Sequence, residues 1–195
     1  MALLSEEDVV NSALIKLGSE RISSLSEQTP PAIAANEIFD TIRDEVLRAH
    51  PWNFATKRTT LSPNSTTPDF EYDYTYDLPS DLLRVWDVYP DDIVYSIEAD
   101  RTLLSNESEM EIVYIYRNEN PEYWDSMFGE ALAWRLAKEL CYKITASLSL
   151  VEHCTREYEK QLALARSTDG TEGVLRALVA DDWTRARRRR PYPYS

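Results

Sequence analysis

Apolar positions in the first fifty residues recur with a helical period, and the pattern shifts toward alternation after residue 55. Val9, Val10, Ala13, Leu14 and Leu17 fall on one helix face. Ser5-Glu6-Glu7-Asp8 ahead of them reads as an N-cap followed by acids that favour the positive end of the helix dipole. Gly18 supplies a left-handed stop. A second helix is predicted from Thr29-Pro30-Pro31, because proline is tolerated in a first turn, with Ile38, Phe39, Ile42 and Val46 as its stripe. Pro51 disfavours helical geometry at His50, so this helix ends there after about nineteen residues, a rod of roughly 28 Å.

From Thr56 to Tyr116 the chain becomes rich in Tyr, Val, Ile and Thr, with turn residues at Ser62-Pro63-Asn64, Leu78-Pro79-Ser80-Asp81, Tyr89-Pro90-Asp91-Asp92 and Ser105-Asn106-Glu107. Tyr72, Tyr74 and Tyr76 alternate with acids, as in a half-buried strand, and Val85–Val88, Ile93–Ile97 and Glu111–Tyr116 read as further strands. Asn120-Pro121 is predicted to cap a third helix, apolar nearly all round from Trp124 to Ile144 and therefore buried among partners. Ser149-Leu150-Val151-Glu152 has capping-box spacing for a fourth, which Thr168-Asp169-Gly170 breaks. The expected fold is α+β. An antiparallel bundle of about four helices (residues 1–55 and 119–168) carries an inserted antiparallel β domain (56–118) and an extended C-terminal arm (169–195).

Charge divides the chain unevenly. The net charge is −13, yet the last eleven residues hold five arginines and no acid, leaving −18 on residues 1–184. An acidic body repels nucleic acid, whereas such an arm attracts phosphate or an acidic surface. No run of eighteen apolar residues exists and the N-terminus turns acidic at once, so neither a membrane span nor a secretory signal is expected. Cys141 and Cys154, the only cysteines, sit in helical patterns and read as buried thiols.

Candidate chemistry is sparse. Four glycines cannot assemble a phosphate-cradling loop, and two histidines are too few for a histidine-rich metal site. His153 and Cys154 point to different faces of one helix, and His50 reads as a helix-terminus residue favoured by the dipole. With thirty-four acids, no placement singles out a catalytic carboxylate pair. No enzyme, cofactor or metal is expected.

Pro51, Trp52 and Phe54 read as a plug between bundle and sheet, and Pro79 with Asp81 as a turn beside it, proline at its second position and Asp81 bonding nearby backbone. Trp183, beside Asp181 and Asp182 and outside any predicted core, reads as an intermolecular anchor. Arg185, Arg187, Arg188, Arg189 and Arg190, followed by Tyr192 and Tyr194 between prolines, have three readings: a solvated tail, a nucleic-acid arm, or a docking arm for a partner or neighbouring subunit. A proline-stiffened aromatic segment loses little entropy on ordering, which favours docking.

The blocks Arg48-Ala49-His50-Pro51-Trp52-Asn53-Phe54-Ala55, Leu78-Pro79-Ser80-Asp81-Leu82-Leu83-Arg84-Val85 and Asp181-Asp182-Trp183-Thr184-Arg185-Ala186-Arg187 together resemble the phage head–tail adaptor family, of the tail tubular protein A type. Ala13–Gly18, Arg21–Leu25, Tyr158-Glu159 and Leu164-Ala165-Arg166 extend the resemblance over nearly the whole chain. It implies a non-enzymatic virion part of the neck, assembled in the host cytoplasm as a homo-oligomeric ring of twelve. Such a ring sits beneath the portal protein, meets a downstream tail or nozzle protein, and lets double-stranded DNA pass without specific binding; no membrane is involved. The four-arginine run and the Tyr-Pro-Tyr ending depart from that pattern. An acidic scaffold protein with a nucleic-acid-binding arm is the alternative reading.

Overall fold

Helix α1 (Glu6–Lys16) begins where Ser5 closes a capping box in the computed structural model, which describes residues 4–98 and 101–172. Ser5 Oγ accepts from Asp8 N at 3.0 Å and the Asp8 carboxylate accepts from Ser5 N at 3.1 Å. Gly18, at φ 69°, ends the helix as Gly18 N and Ser19 N bond back to the carbonyls of Ile15 and Leu14. Helix α2 (Pro30–Arg48) buries Phe39, Ile42 and Val46 as predicted. It also buries Arg43, whose guanidinium reaches Asp40 at 2.8 Å and Asp44 at 3.0 Å. A buried charge needs such partners.

Asn120 caps only a short 3₁₀ turn, Pro121–Tyr123, rather than the third helix. The backbone then extends through Trp124 and Asp125, and Asp125 caps α3 (Ser126–Thr145) by accepting from Met127 N at 2.8 Å. Helix α3 packs on α1, α2 and α4, which explains its apolar circumference. Helix α4 (Leu148–Glu172) starts one residue before the predicted capping box, with Ser147 Oγ accepting from Leu150 N at 3.3 Å. Its other end departs further from expectation: the helix runs through Thr168-Asp169-Gly170 to Glu172, so the arm does not begin at 169.

Two three-stranded antiparallel sheets fill the interval between α2 and α3. Strands β1 (Thr56–Leu61), β3 (Leu82–Tyr89) and β6 (Met110–Tyr116) pair in the order β1-β6-β3. Strands β2 (Tyr74–Asp77), β4 (Tyr95–Glu98) and β5 (Thr102–Ser105) pair in the order β2-β5-β4. Strand β2 is not half-buried: Thr75 and Tyr76 are both covered, because the preceding loop folds over the Thr75 face. Thr75 Oγ1 donates to Thr66 O at 2.6 Å and Asn64 N to Thr75 O at 2.7 Å. The mixed α+β architecture has two cores. One lies in the bundle and includes Ile115 of β6; the other, around Tyr76, Leu103 and Met110, lies between the sheets.

Candidate assembly site at the bundle–sheet junction

Trp52 is fully buried, and its indole N–H donates to Val46 O at 3.0 Å, so the chain leaving α2 turns back upon it. Phe128 of α3 receives Trp52, Phe54 and Trp124 edge-on at ring separations of 5.2, 5.0 and 5.5 Å. Such packing fixes the direction in which the chain enters β1. Phe54 O accepts from Tyr116 Oη at 3.3 Å and from Asn118 Nδ2 at 3.2 Å, which ties the same block to the end of β6.

A second set of bonds fastens this block to α4. The Asp169 carboxylate, 7% exposed, meets His50 Nε2 at 3.0 Å through Oδ2 and accepts from Asn53 N at 3.0 Å through Oδ1. Asn53 Nδ2 donates to Asp169 O at 2.8 Å, and Arg166 donates to Ala49 O at 3.1 Å. Pro51 lies between these contacts, half-buried. Burial pushes the His50 pKa below its ordinary 6.5, opposed by the bond to Asp169 and reinforced by the nearby Arg166 cation. His50 thus lies just past the end of α2, as expected of a helix-terminus residue, with its ring bonded to a carboxylate of α4.

Pro79 and Asp81 lie at the start of β3. Leu82 N bonds Pro79 O at 3.0 Å, so proline stands first in the turn rather than second. The Asp81 side chain meets its own backbone N–H, as expected, and also reaches across the sheet to Lys57 Nζ at 2.8 Å and Tyr114 Oη at 3.3 Å. Burial would raise the Asp81 pKa, but Lys57 and Tyr114 outweigh it and hold the carboxyl below its ordinary value. Arg117, whose N–H donates to Asp81 O at 2.7 Å, sends its guanidinium to Asp44 of α2, also at 2.7 Å. Arg48 donates to Leu83 O. Bundle and sheet are thus joined by arginines as well as aromatics.

Chemically the junction holds and orients. Among the described residues no hydroxyl or thiol is hydrogen-bonded to His50. Cys141 and Cys154 are free, buried and in hydrogen-bond contact, and burial pushes the Cys154 thiol up to about 11, far from a reactive thiolate. Among the described residues no group of three or more His, Cys, Asp or Glu gathers as for a metal ion, and no helix is long and apolar enough to cross a membrane.

Of the sequence-predicted residues, Trp52 and Phe54 meet in one cluster, Pro51 lines a surface pocket beside them with Trp86 and Tyr89, and Pro79 and Asp81 occupy the adjoining sheet end. Trp183, Arg185, Arg187, Arg188, Arg189, Arg190, Tyr192 and Tyr194 lie outside the described residues. Asp169, Asn53 and Arg166 were missed as contacts. Cys154, Tyr158, Leu162 and Ala165 recur at spacings of three and four, and position 169 continues that stripe, which is the signal that was available. Comparison with models of known protein families and with curated proteins returns no match.

Proposed function

We propose that this chain is a head–tail adaptor of a phage virion, a ring subunit that docks beneath the portal, lengthens the DNA channel and presents a surface to the next tail component. The observation that carries this reading is the placement of the resembling blocks. Arg48–Ala55 and Leu78–Val85, far apart in sequence, adjoin at the bundle–sheet junction, and Arg166 and Asp169 clasp the first of them. The similarity therefore falls on the residues that set the angle between bundle and β domain. In a ring, that angle decides whether successive subunits close. The arginine-rich arm then serves as the portal-docking element, anchored by Trp183, Tyr192 and Tyr194.

Co-sedimentation with portal complexes tests the proposal. Removing residues 185–195 leaves the circular dichroism spectrum unchanged and severely reduces attachment, and Trp183→Ala weakens it by about 2 kcal/mol or more, as a buried aromatic anchor does. Replacing Arg187, Arg188, Arg189 and Arg190 by lysine separates charge from the planar guanidinium fork. Full attachment by the truncated chain would refute the docking role of the arm.

A further inference from the structure

Phe70 is the most exposed large apolar side chain among the described residues, at 79%. It stands on the Ser62–Asp73 loop, which carries Asp69, Glu71 and Asp73 and no basic residue. Tyr72 N bonds Phe70 O at 2.9 Å, closing a three-residue turn around Glu71 at φ 74°, a conformation disfavoured for any residue but glycine. Bonds from the loop to Thr75, and from Asp73 N to Asn106 Oδ1 at 2.9 Å, hold it on the Thr75–Leu104 face of the β2-β5-β4 sheet. Phe70 is held outward by a loop that is itself tied down.

A groove of about 310 Å³ has the opposite character. It lies between β3 and β4, the edge strands of the two sheets, lined by Val85, Tyr95 and Ile97 and by Arg48, Arg84 and Arg101, with Glu98 its single acid. Arg84 stacks over Trp86 at 5.3 Å, and Trp86, Tyr95 and Ile97 are 49%, 41% and 47% exposed. Three arginines with a Trp and a Tyr form a basic, aromatic island on a chain of net charge −13. Residues of these types dominate binding energy at interfaces.

We infer that the acidic loop of one copy docks in the arginine-lined groove of a second copy. Phe70 enters between Val85, Tyr95 and Ile97, while Asp69, Glu71 and Asp73 meet the arginines. The charges are complementary locally although the two chains repel as wholes. At physiological salt a screening length of about 8 Å removes most of the long-range repulsion and leaves contact pairs in place. Loop and groove occupy opposite sides of the β2-β5-β4 sheet, because Thr75 and Leu104 point one way and Ile97 the other. The contact is therefore head-to-tail, and a pair retains a free groove on one copy and a free loop on the other. Closure of such contacts into a ring rests on the adaptor reading; the pairwise contact does not.

The test uses the full-length chain in sedimentation equilibrium at physiological salt, with a groove variant, Arg84→Glu, and a loop variant, Phe70→Ser with Asp69→Lys. All three positions concerned are surface sites, and circular dichroism checks that each variant folds. The expected wild-type mass rises above 22.5 kDa with concentration, whereas each variant alone stays at 22.5 kDa. Mixed in equal amounts, the variants form a pair and stop, since one intact loop meets one intact groove. A wild type that stays monomeric, a single variant that associates as the wild type does, or a mixture that stays monomeric or grows without limit would each overturn the inference. A wild type that stays monomeric yet binds portal complexes would overturn this docking and leave the adaptor reading standing. One that associates head-to-tail but ignores the portal would do the reverse.

Discussion

Asp169 sits in the last turn of α4 with both carboxylate oxygens occupied, one by His50 and one by the Asn53 amide. Truncating it leaves two partly buried groups without their acceptor, at about 1–3 kcal/mol each for a group fully desolvated. Because the end of a helix can open locally, Asp169→Ala is expected to raise hydrogen exchange over residues 165–172 more than it lowers the global melting temperature. Equal protection in variant and wild type would refute the clasp. His50 adds a pH dependence whose sign follows from burial. Its folded pKa lies below the ordinary 6.5, so the folded state disfavours the proton. This contribution to stability is present above 6.5 and is lost as pH falls through that value toward the lowered folded pKa. His50→Gln keeps an N–H for Asp169 without titrating. Thermal melts from about pH 7.5 down to about pH 5.5 should therefore fall less steeply for the variant, these limits bracketing the ordinary histidine range. Parallel profiles would show that Asp169 fully offsets both the burial of His50 and the nearby Arg166 cation.

At the level of elements, local rules decided some outcomes and distant contacts others. Ser5, Asp8 and Gly18 act within a few residues of themselves, and α1 begins and ends where they direct. The same holds for Pro51 and the end of α2. Gly170 reads as a breaker by the same local logic, yet α4 continues past it, because Asp169 one residue earlier is bonded to groups more than a hundred positions away. Strands β1 and β5 carry no clear alternation; their pairing with β6 and β2 defines them. The Thr75 face of β2 is likewise buried by a loop whose course no periodicity records. The junction was legible as Pro51, Trp52 and Phe54, while its α4 half was not. Gly170 offers a direct check. It has an ordinary helical backbone, and a methyl group there would meet nothing within 4 Å. Gly170→Ala should then stabilise α4 by about 0.5–1 kcal/mol, read from chemical denaturation at unchanged slope. Destabilisation would mean that the helix end needs the freedom of glycine.

On the scale of the whole molecule, charge is segregated along the chain: −18 on residues 1–184 against five arginines in the last eleven. The β domain alone, residues 56–118, holds thirteen acids and five bases. A body of this kind gives phosphates little to grip, whereas the arm concentrates the positive charge that attracts them. Each phosphate neutralised releases counterions, so the logarithm of affinity falls with the logarithm of salt at about 0.9 per contact. Five arginines therefore set a slope no steeper than about −4.5 for the isolated protein on double-stranded DNA. Fluorescence anisotropy with random-sequence duplexes should find weak binding at low salt, near absence of binding at physiological salt, and complete loss on removal of residues 185–195. A steeper slope, or binding that survives truncation, would require phosphate contacts from the body, in particular from the Arg48, Arg84 and Arg101 groove. Tight binding by the intact chain at physiological salt, abolished by truncation, would instead turn the arm into a nucleic-acid grip and favour the scaffold reading over the adaptor.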